Sequence, residues 1–372
     1  MKIRYKQTES GLVAIANVYS QQEHGIDPEK IDGDAVHIIE KLTDAGFESF
    51  LVGGAVRDLL LGKIPKDFDV ATEASPRQVH KIFRNSRIIG KRFKLVHIVF
   101  NEKIIEVSTF RSLKEHEDDS DNQFGTVEED AKRRDFSINS FYFNPLDNTL
   151  VDFNNAMKDL KAHRISSLIP LKKTFVEDPV RMIRALKYSV TTGFKLRLGI
   201  RCAIRKNSTQ LIRVSSSRLT EEVNKILAGG YSSQIIKKLY RYNLLVYLLP
   251  CISVYARQAS LYSSLDELDK KVLNGKLNKK PVDESDMFLA LTSPFIVVPA
   301  EKMSPYEVYR DIFRQIKVML SPNTPPNYEL EEAALKFMKQ NKIALPKIAK
   351  KESKAKTKEH NRQGYSKRKT QV

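Results

Sequence analysis

What most constrains this chain is a change of pattern near residue 150. Before it, short strand-like and helix-like segments alternate; after it, strand signals fade and helical segments take over. Such an order predicts a mixed α and β unit followed by helical ones. In the first part, Ala35, Ile38, Ile39 and Leu42 mark a helical stripe over residues 34–45, closed by Gly46. Residues 48–52 read as a strand, Gly53-Gly54 as a tight turn, and residues 55–61 as a short helix stopped by Gly62 and Pro65. Further strands are expected at 67–71, 95–100 and 103–110, the last two as a hairpin, and Ser75-Pro76 opens a helix to about Phe83. In the second part, residues 179–190, 218–227 and 233–240 read as helices.

Charge narrows the partners. Against 45 Asp and Glu stand 63 Lys and Arg, a formal charge of +18. Each cation that neutralises a phosphate releases condensed counterions, so nucleic acid is the favoured partner, ahead of an anionic membrane. The two cysteines, Cys202 and Cys251, exclude a disulfide framework and any cysteine-rich zinc module. No apolar run approaches the ~18 residues that would span a bilayer. The first twenty residues imitate a signal peptide only faintly, because Gln7, Thr8, Glu9 and Ser10 interrupt them, so a cytoplasmic location is expected. The acidic run over 114–130 reads as a mobile solvated loop. Residues 347–372, with ten Lys and Arg against two Glu, read as a disordered basic tail.

The most chemical feature is Asp67-Phe68-Asp69. In a strand, positions i and i+2 share a face, so the two carboxylates would project together. They repel one another unless one protonates or a cation such as Mg²⁺ accepts both. A lone D-x-D is common and is usually a solvated turn. Its surroundings raise the expectation: a glycine turn at a helix start suits phosphate, and Glu106, between Ile105 and Val107, offers a third carboxylate. Simple outward alternation accounts for Glu106 equally well.

A hydrophobic-Gly-Gly turn, an Asp-x-Asp strand and a later Glu resemble the nucleotidyltransferase superfamily typified by DNA polymerase beta. The strings Leu51–Gly62, Lys66–Asp69, Arg133–Asn139 and Glu177–Ala185 resemble, more closely, its class II tRNA nucleotidyltransferase and bacterial poly(A) polymerase family. That resemblance implies an α+β head of the polymerase beta type over residues 31–148, after an N-terminal extension at 1–30. All-helical neck (149–250) and body (251–346) domains would follow, then the tail at 347–372. It implies catalytic Asp67, Asp69, Glu106 and Asp135, with two Mg²⁺ or Mn²⁺ ions on Asp67 and Asp69. It also implies a nucleotide site of Gly53, Gly54, Arg57, Arg134, Asp178, Arg181 and Arg184. In that family one ion activates the RNA 3′-hydroxyl and the other clamps the triphosphate.

Asp178 and Arg181, three apart, are expected on one helix face. A carboxylate that accepts from an exocyclic amine beside a guanidinium that donates to a ring nitrogen suits adenine and cytosine, and rejects guanine and uracil. That pair does not separate ATP from CTP. The segment Ile88–Ile98, which contains Lys91, Arg92 and Lys94, resembles the one that marks bacterial poly(A) polymerases, and those three cations are the expected RNA contacts. The expectation is therefore a monomer that adds AMP from ATP to RNA 3′ ends. The alternatives are a CCA-adding tRNA nucleotidyltransferase and a catalytically silent RNA-binding protein. Two features depart from the family. Asp152–Leu160 lacks its two glycines, and Lys187-Tyr188 stands where Arg-Phe is preferred.

Overall fold

The structure, a computed structural model, describes residues 1–9, 11–90, 95–101, 103–113, 124–278, 280–299 and 303–346. Lys91, Arg92, Lys94, most of the acidic run and the basic tail lie outside them. The described residues form two compact units, those within 1–181 with 192–203, and those within 182–191 with 204–346.

The first unit is built on a nine-stranded sheet. Its strands are β1 (Lys2–Thr8), β2 (Gly11–Tyr19), β3 (Ser49–Val52), β4 (Asp69–Thr72), β5 (Ser86–Ile89), β6 (Leu95–Phe100), β7 (Lys103–Thr109), β8 (Phe141–Asn144) and β9 (Thr149–Asp152). The order across the sheet is β1-β2-β9-β8-β3-β4-β7-β6-β5, with every pair antiparallel except β4–β7. The first 30 residues, expected as an extension, thus supply two strands of the sheet. Asn17, Val18 and Tyr19 pair with Asp152, Val151 and Leu150. The expected boundary at 148 falls in the turn between β8 and β9, and the unit runs on to residue 181.

One cross-strand row runs across the sheet from β2 to β5. Val18, Val151, Tyr142, Val52, Asp69, Glu106, His97 and Arg87 are its successive register partners. Register partners point to the same face, with strands about 4.8 Å apart. At one end this face is core: Tyr142 meets Phe50, Phe110 and Phe153 edge-on at 5.7, 6.3 and 5.8 Å between ring centroids. The helix Val127–Lys132, started by a Thr126/Glu129 capping box, lays Val127 and Ala131 on that cluster. At the other end Asp69, Glu106 and Arg87 are exposed. The opposite face is covered by the helix Gly33–Asp44, whose Ala35, Ile38, Ile39 and Leu42 are fully buried as their spacing predicts.

The acidic run is not all solvated loop. Glu128, Glu129 and Asp130 belong to the helix Val127–Lys132, and Asp130 is buried. Two departures from the family find physical explanations as well. Asn155 adopts φ +55°, a left-handed conformation that asparagine tolerates better than other side-chain-bearing residues, and so takes the place of a glycine. Asp152 then accepts from the amides of Asn154, Ala156 and Met157 at 2.9–3.0 Å and caps the helix Ala156–Lys161. Lys187 donates to Glu222 at 2.8 Å, a largely buried ion pair within the second unit.

Among the described residues, the second unit's elements of secondary structure are all helices. Helices at Ser216–Leu227 and Ser232–Arg241 stand where the sequence predicts them, and Ala259–Leu277, Glu284–Thr292, Pro305–Leu320 and Asn327–Gln340 follow. Among the described residues no helix is long and apolar enough to cross a membrane.

Candidate active site

The site begins at the end of β3. The chain turns at Gly53, with φ +70° and ψ −131°, a conformation open to glycine, and enters the helix Gly54–Leu60. A Cβ at Gly53 would stand 3.7 Å from both Asp69 Oδ2 and Arg134 Nη1, so this turn borders a carboxylate and a guanidinium. Asp69 opens β4, and Asp67 lies two residues before the strand instead of inside it. Buried Phe68 anchors the segment between the two exposed carboxylates. The parallel β4–β7 register sets Glu106 beside Asp69. Glu106 in turn meets His97 Nε2 at 3.3 Å. Ile105 and Val107 are buried while Glu106 is exposed, so alternation holds, and the exposed face is the one that carries Asp69.

These carboxylates fit a divalent ion in one particular manner. Among the described residues, no group of three His, Cys, Asp or Glu is placed to hold a metal ion. Mg²⁺ is commonly held by one or two carboxylates together with substrate phosphates. Exposed, register-paired oxygens suit an ion that shares its coordination with a triphosphate, and they do not suit a closed structural cage.

The arginines differ in their settings. Arg57 is buried; Nε and Nη2 go to Asp58 Oδ1 at 2.9 and 2.8 Å, and Nη1 donates to Asn139 Oδ1 at 2.9 Å. Asn139 Nδ2 reaches Asp135 Oδ1 at 3.4 Å, and that oxygen also accepts from the Phe136 amide at 2.8 Å. Arg57 therefore braces the glycine turn against the segment that carries Asp135. Arg134 donates from Nε to the Tyr142 hydroxyl at 3.2 Å and from Nη2 to Asp130 Oδ2 at 3.0 Å, with its guanidinium 5.2 Å above the Tyr142 ring. The Tyr142 hydroxyl donates to the same Asp130 oxygen. Burial, and then the Asp130 carboxylate, push the Tyr142 phenol well above its ordinary range, so it stays protonated.

Asp178 is not inside a helix. It ends Leu171–Glu177, and its Oδ1 accepts from the Val180 amide at 3.2 Å at the start of Val180–Thr191. Arg181, one residue into that helix, has Nε 4.0 Å from Asp178 Oδ2 and donates from Nη1 to the Thr174 carbonyl at 3.1 Å. The pair expected on one helix face is thus a cap residue beside a first-turn residue. Arg184, in the second unit, donates to the Tyr188 hydroxyl at 3.1 and 3.3 Å.

Of the residues expected at the site, the structure brings Gly53, Asp69, Glu106 and Arg134 together, joins Arg57 to Asp135 through Asn139, and pairs Asp178 with Arg181. Asp130, Tyr142 and His97 were not expected there. The Asp130/Arg134 spacing of i,i+4 was a visible signal for one of them.

Comparison with known proteins identifies the family. Residues 49–166 match the poly(A) polymerase head domain family, and residues 193–255 match the family described as "Probable RNA and SrmB- binding site of polymerase A". Poly(A) polymerase I of Escherichia coli O6:H1 is 41% identical over 252 residues, which cover 64% of this chain and 54% of that protein. The CCA-adding enzyme of Lactobacillus helveticus is 36% identical over 204 residues, covering 54% of this chain and 51% of that one. The crystal structure of the Bacillus stearothermophilus CCA-adding enzyme in complex with CTP shares the fold, with a TM-score of 0.56 and 24% identity over 82% of each chain. An α+β nucleotidyltransferase head followed by helical domains is the class that fold and site define. The chain belongs to the polymerase beta-like nucleotidyltransferase superfamily, in the branch that holds the poly(A) polymerases and CCA-adding enzymes. It spans 54% to 63% of the length of the Poly(A) polymerase I relatives it matches.

Proposed function

We propose that this chain adds AMP units from ATP to RNA 3′ ends without a nucleic-acid template, releasing pyrophosphate. The observation that carries the reading is the register pairing of Asp69 with Glu106 beside a glycine turn that has Arg134 on its other side. In this reading Gly53 and Gly54 let the triphosphate approach the backbone, and Arg134 meets its negative charge. Asp135 faces the ribose. Asp178 accepts from the exocyclic amine of the base, and Arg181 donates to its ring nitrogen. Asp67 and Asp69 would hold two Mg²⁺ or Mn²⁺ ions, which would supply Lewis-acid activation for the RNA 3′-hydroxyl and counter-charge for pyrophosphate. Glu106 is the third carboxylate of that set, oriented by His97.

The base-reading pair accepts adenine and cytosine alike, so the choice of ATP rests elsewhere. It is supported by the Ile88–Ile98 segment and by the 41% identity with Poly(A) polymerase I of Escherichia coli O6:H1, against 34% and 36% with the CCA-adding enzymes of Leuconostoc mesenteroides and Lactobacillus helveticus. The test is to incubate the pure full chain with Mg²⁺, labelled RNA and each nucleoside triphosphate separately. Long ladders with ATP alone support the reading. A requirement for tRNA lacking its end, with a stop after C, C and A, replaces it with CCA addition; RNA binding without extension by any nucleotide replaces it with a silent binding protein.

A further inference from the structure

Arg134 is a half-buried cation of the first unit, and its setting is more elaborate than charge neutralisation requires. A buried guanidinium is costly unless its donors are satisfied and a counter-charge is near. Asp130, four residues earlier in the short helix that ends just before Arg134, would supply that charge alone. The structure adds Tyr142 from β8, whose hydroxyl accepts from Arg134 Nε and donates to Asp130 Oδ2, and whose ring centroid lies 5.2 Å from the guanidinium carbon. Nε and Nη2 are thereby fixed from two elements of the fold. Their fixing sets the direction of Nη1, the nitrogen beside Gly53. Tyr142 is itself immobilised by the aromatic rings around it, and the sheet register ties it through Val52 to Asp69.

We infer that Asp130 and Tyr142 are positioning residues that aim Arg134 Nη1 across Gly53 at the phosphates of the incoming nucleotide. This inference rests on the nucleotidyltransferase reading above. Neither residue touches the substrate; both act through Arg134. A role limited to holding the helix Val127–Lys132 on the sheet would make their loss a matter of stability, whereas an aiming role makes it a matter of nucleotide affinity.

The experiment uses the full-length chain and measures ATP binding by titration calorimetry, with thermal melting recorded beside it. Tyr142→Phe keeps the ring and its packing and removes only the hydroxyl. It should weaken ATP binding about tenfold, the factor carried by one hydrogen bond to a charged group. Asp130→Asn, a near-isosteric change, should act in the same direction and keeps the test alive should Tyr142→Phe fold poorly. Arg134→Ala should lose at least as much as either. The decisive arm is the pair Tyr142→Phe/Arg134→Ala, which should bind ATP no more weakly than Arg134→Ala alone, because a residue that acts through Arg134 has nothing left to aim. Unchanged ATP affinity in both single variants, or additive losses in the pair, overturns the inference while leaving the proposed function standing. A wild-type chain that binds no nucleoside triphosphate overturns the functional reading, and the inference with it.

Discussion

Each unit gathers carboxylates, and the two do so for opposite ends. In the helical unit, Asp283, Asp286 and Glu332 lie 3.1, 2.6 and 3.2 Å from a single ammonium, Lys336 Nζ. Partial burial works against that charge, yet Asp286, Asp283 and Glu332 hold the Lys336 pKa above its ordinary range. In the first unit, Glu106 has a histidine at 3.3 Å, and among the described residues neither Asp67 nor Glu106 has an ion pair with Lys or Arg. A cluster that exists for structure includes its own cation. Under the proposed function, Asp67, Asp69 and Glu106 instead receive a cation from solution together with the substrate, at an exposed edge.

The largest effect should follow from breaking the open cluster. Asp67→Ala or Asp69→Ala should lower nucleotide addition about a hundredfold or more, because each removes an oxygen proposed to hold a metal. Both side chains are exposed, so the melting temperature should stay close to that of the wild type. Extension of labelled RNA, read beside a melting curve, checks both halves. A variant that keeps more than a few per cent of activity removes its residue from the metal site.

The closed cluster should respond the other way round. Lys336→Met leaves three carboxylates facing one another and should cost about 1–2 kcal/mol of stability, a figure kept small because the group is partly solvated. Urea unfolding measures that cost, and the rate at saturating ATP and RNA should be unchanged below the transition. A stable variant with a reduced rate would mean that Lys336 serves the chemistry and that the contrast between the clusters is misplaced.

Much of this was legible in the sequence wherever the cause was local. Helices with a strong stripe, such as Gly33–Asp44, and turns set by glycine, such as Gly53, follow from residues adjacent in the chain. The short motifs around Asp69, Glu106 and Arg134 could be found for the same reason. Register could not. No local pattern states that Asp69 stands beside Glu106, or that Tyr142 stands in the same row, because those neighbours are chosen by the folding of the whole sheet. The β1–β2 hairpin was hidden because β1 is largely exposed and charged, with Lys2, Arg4 and Lys6 alternating with Ile3 and Tyr5, and because much of uncharged β2 is also exposed. Asp130 was hidden inside an acidic run whose composition reads as solvent-facing, and only its spacing from Arg134 hinted at burial. Arg57, expected at the nucleotide site, is engaged with Asp58 and Asn139, and the second of these partners is eighty-two residues away and invisible to local pattern.

The smallest effect tests how completely the closed cluster is neutralised. Glu329 lies beside it, accepting from the Ser285 amide at 3.0 Å. Its pKa is raised, by burial first and then by Glu284, Glu332 and Asp283, against the opposing hydrogen bond from Ser285. A carboxyl whose folded pKa exceeds its unfolded one binds its proton more tightly when folded. Stability therefore falls as pH rises from the unfolded value through the folded one, and the penalty is fully present above that window. Glu329→Gln imitates the protonated form, and its amide oxygen can still accept from Ser285. The variant should be more stable than the wild type at pH 7 by less than about 1 kcal/mol, since solvent screens a partly exposed group. That advantage should shrink as the pH is lowered and vanish once Glu329 is protonated in both states. Urea unfolding of both proteins across this range checks the sign. Equal stability at every pH would mean that Lys336 screens Glu329 as well as its own three partners. A destabilised variant at pH 7 would mean that the Glu329 charge is favourable there, through Ser285 and the first turn of its helix, and that the repulsion from Glu284, Glu332 and Asp283 is the lesser force.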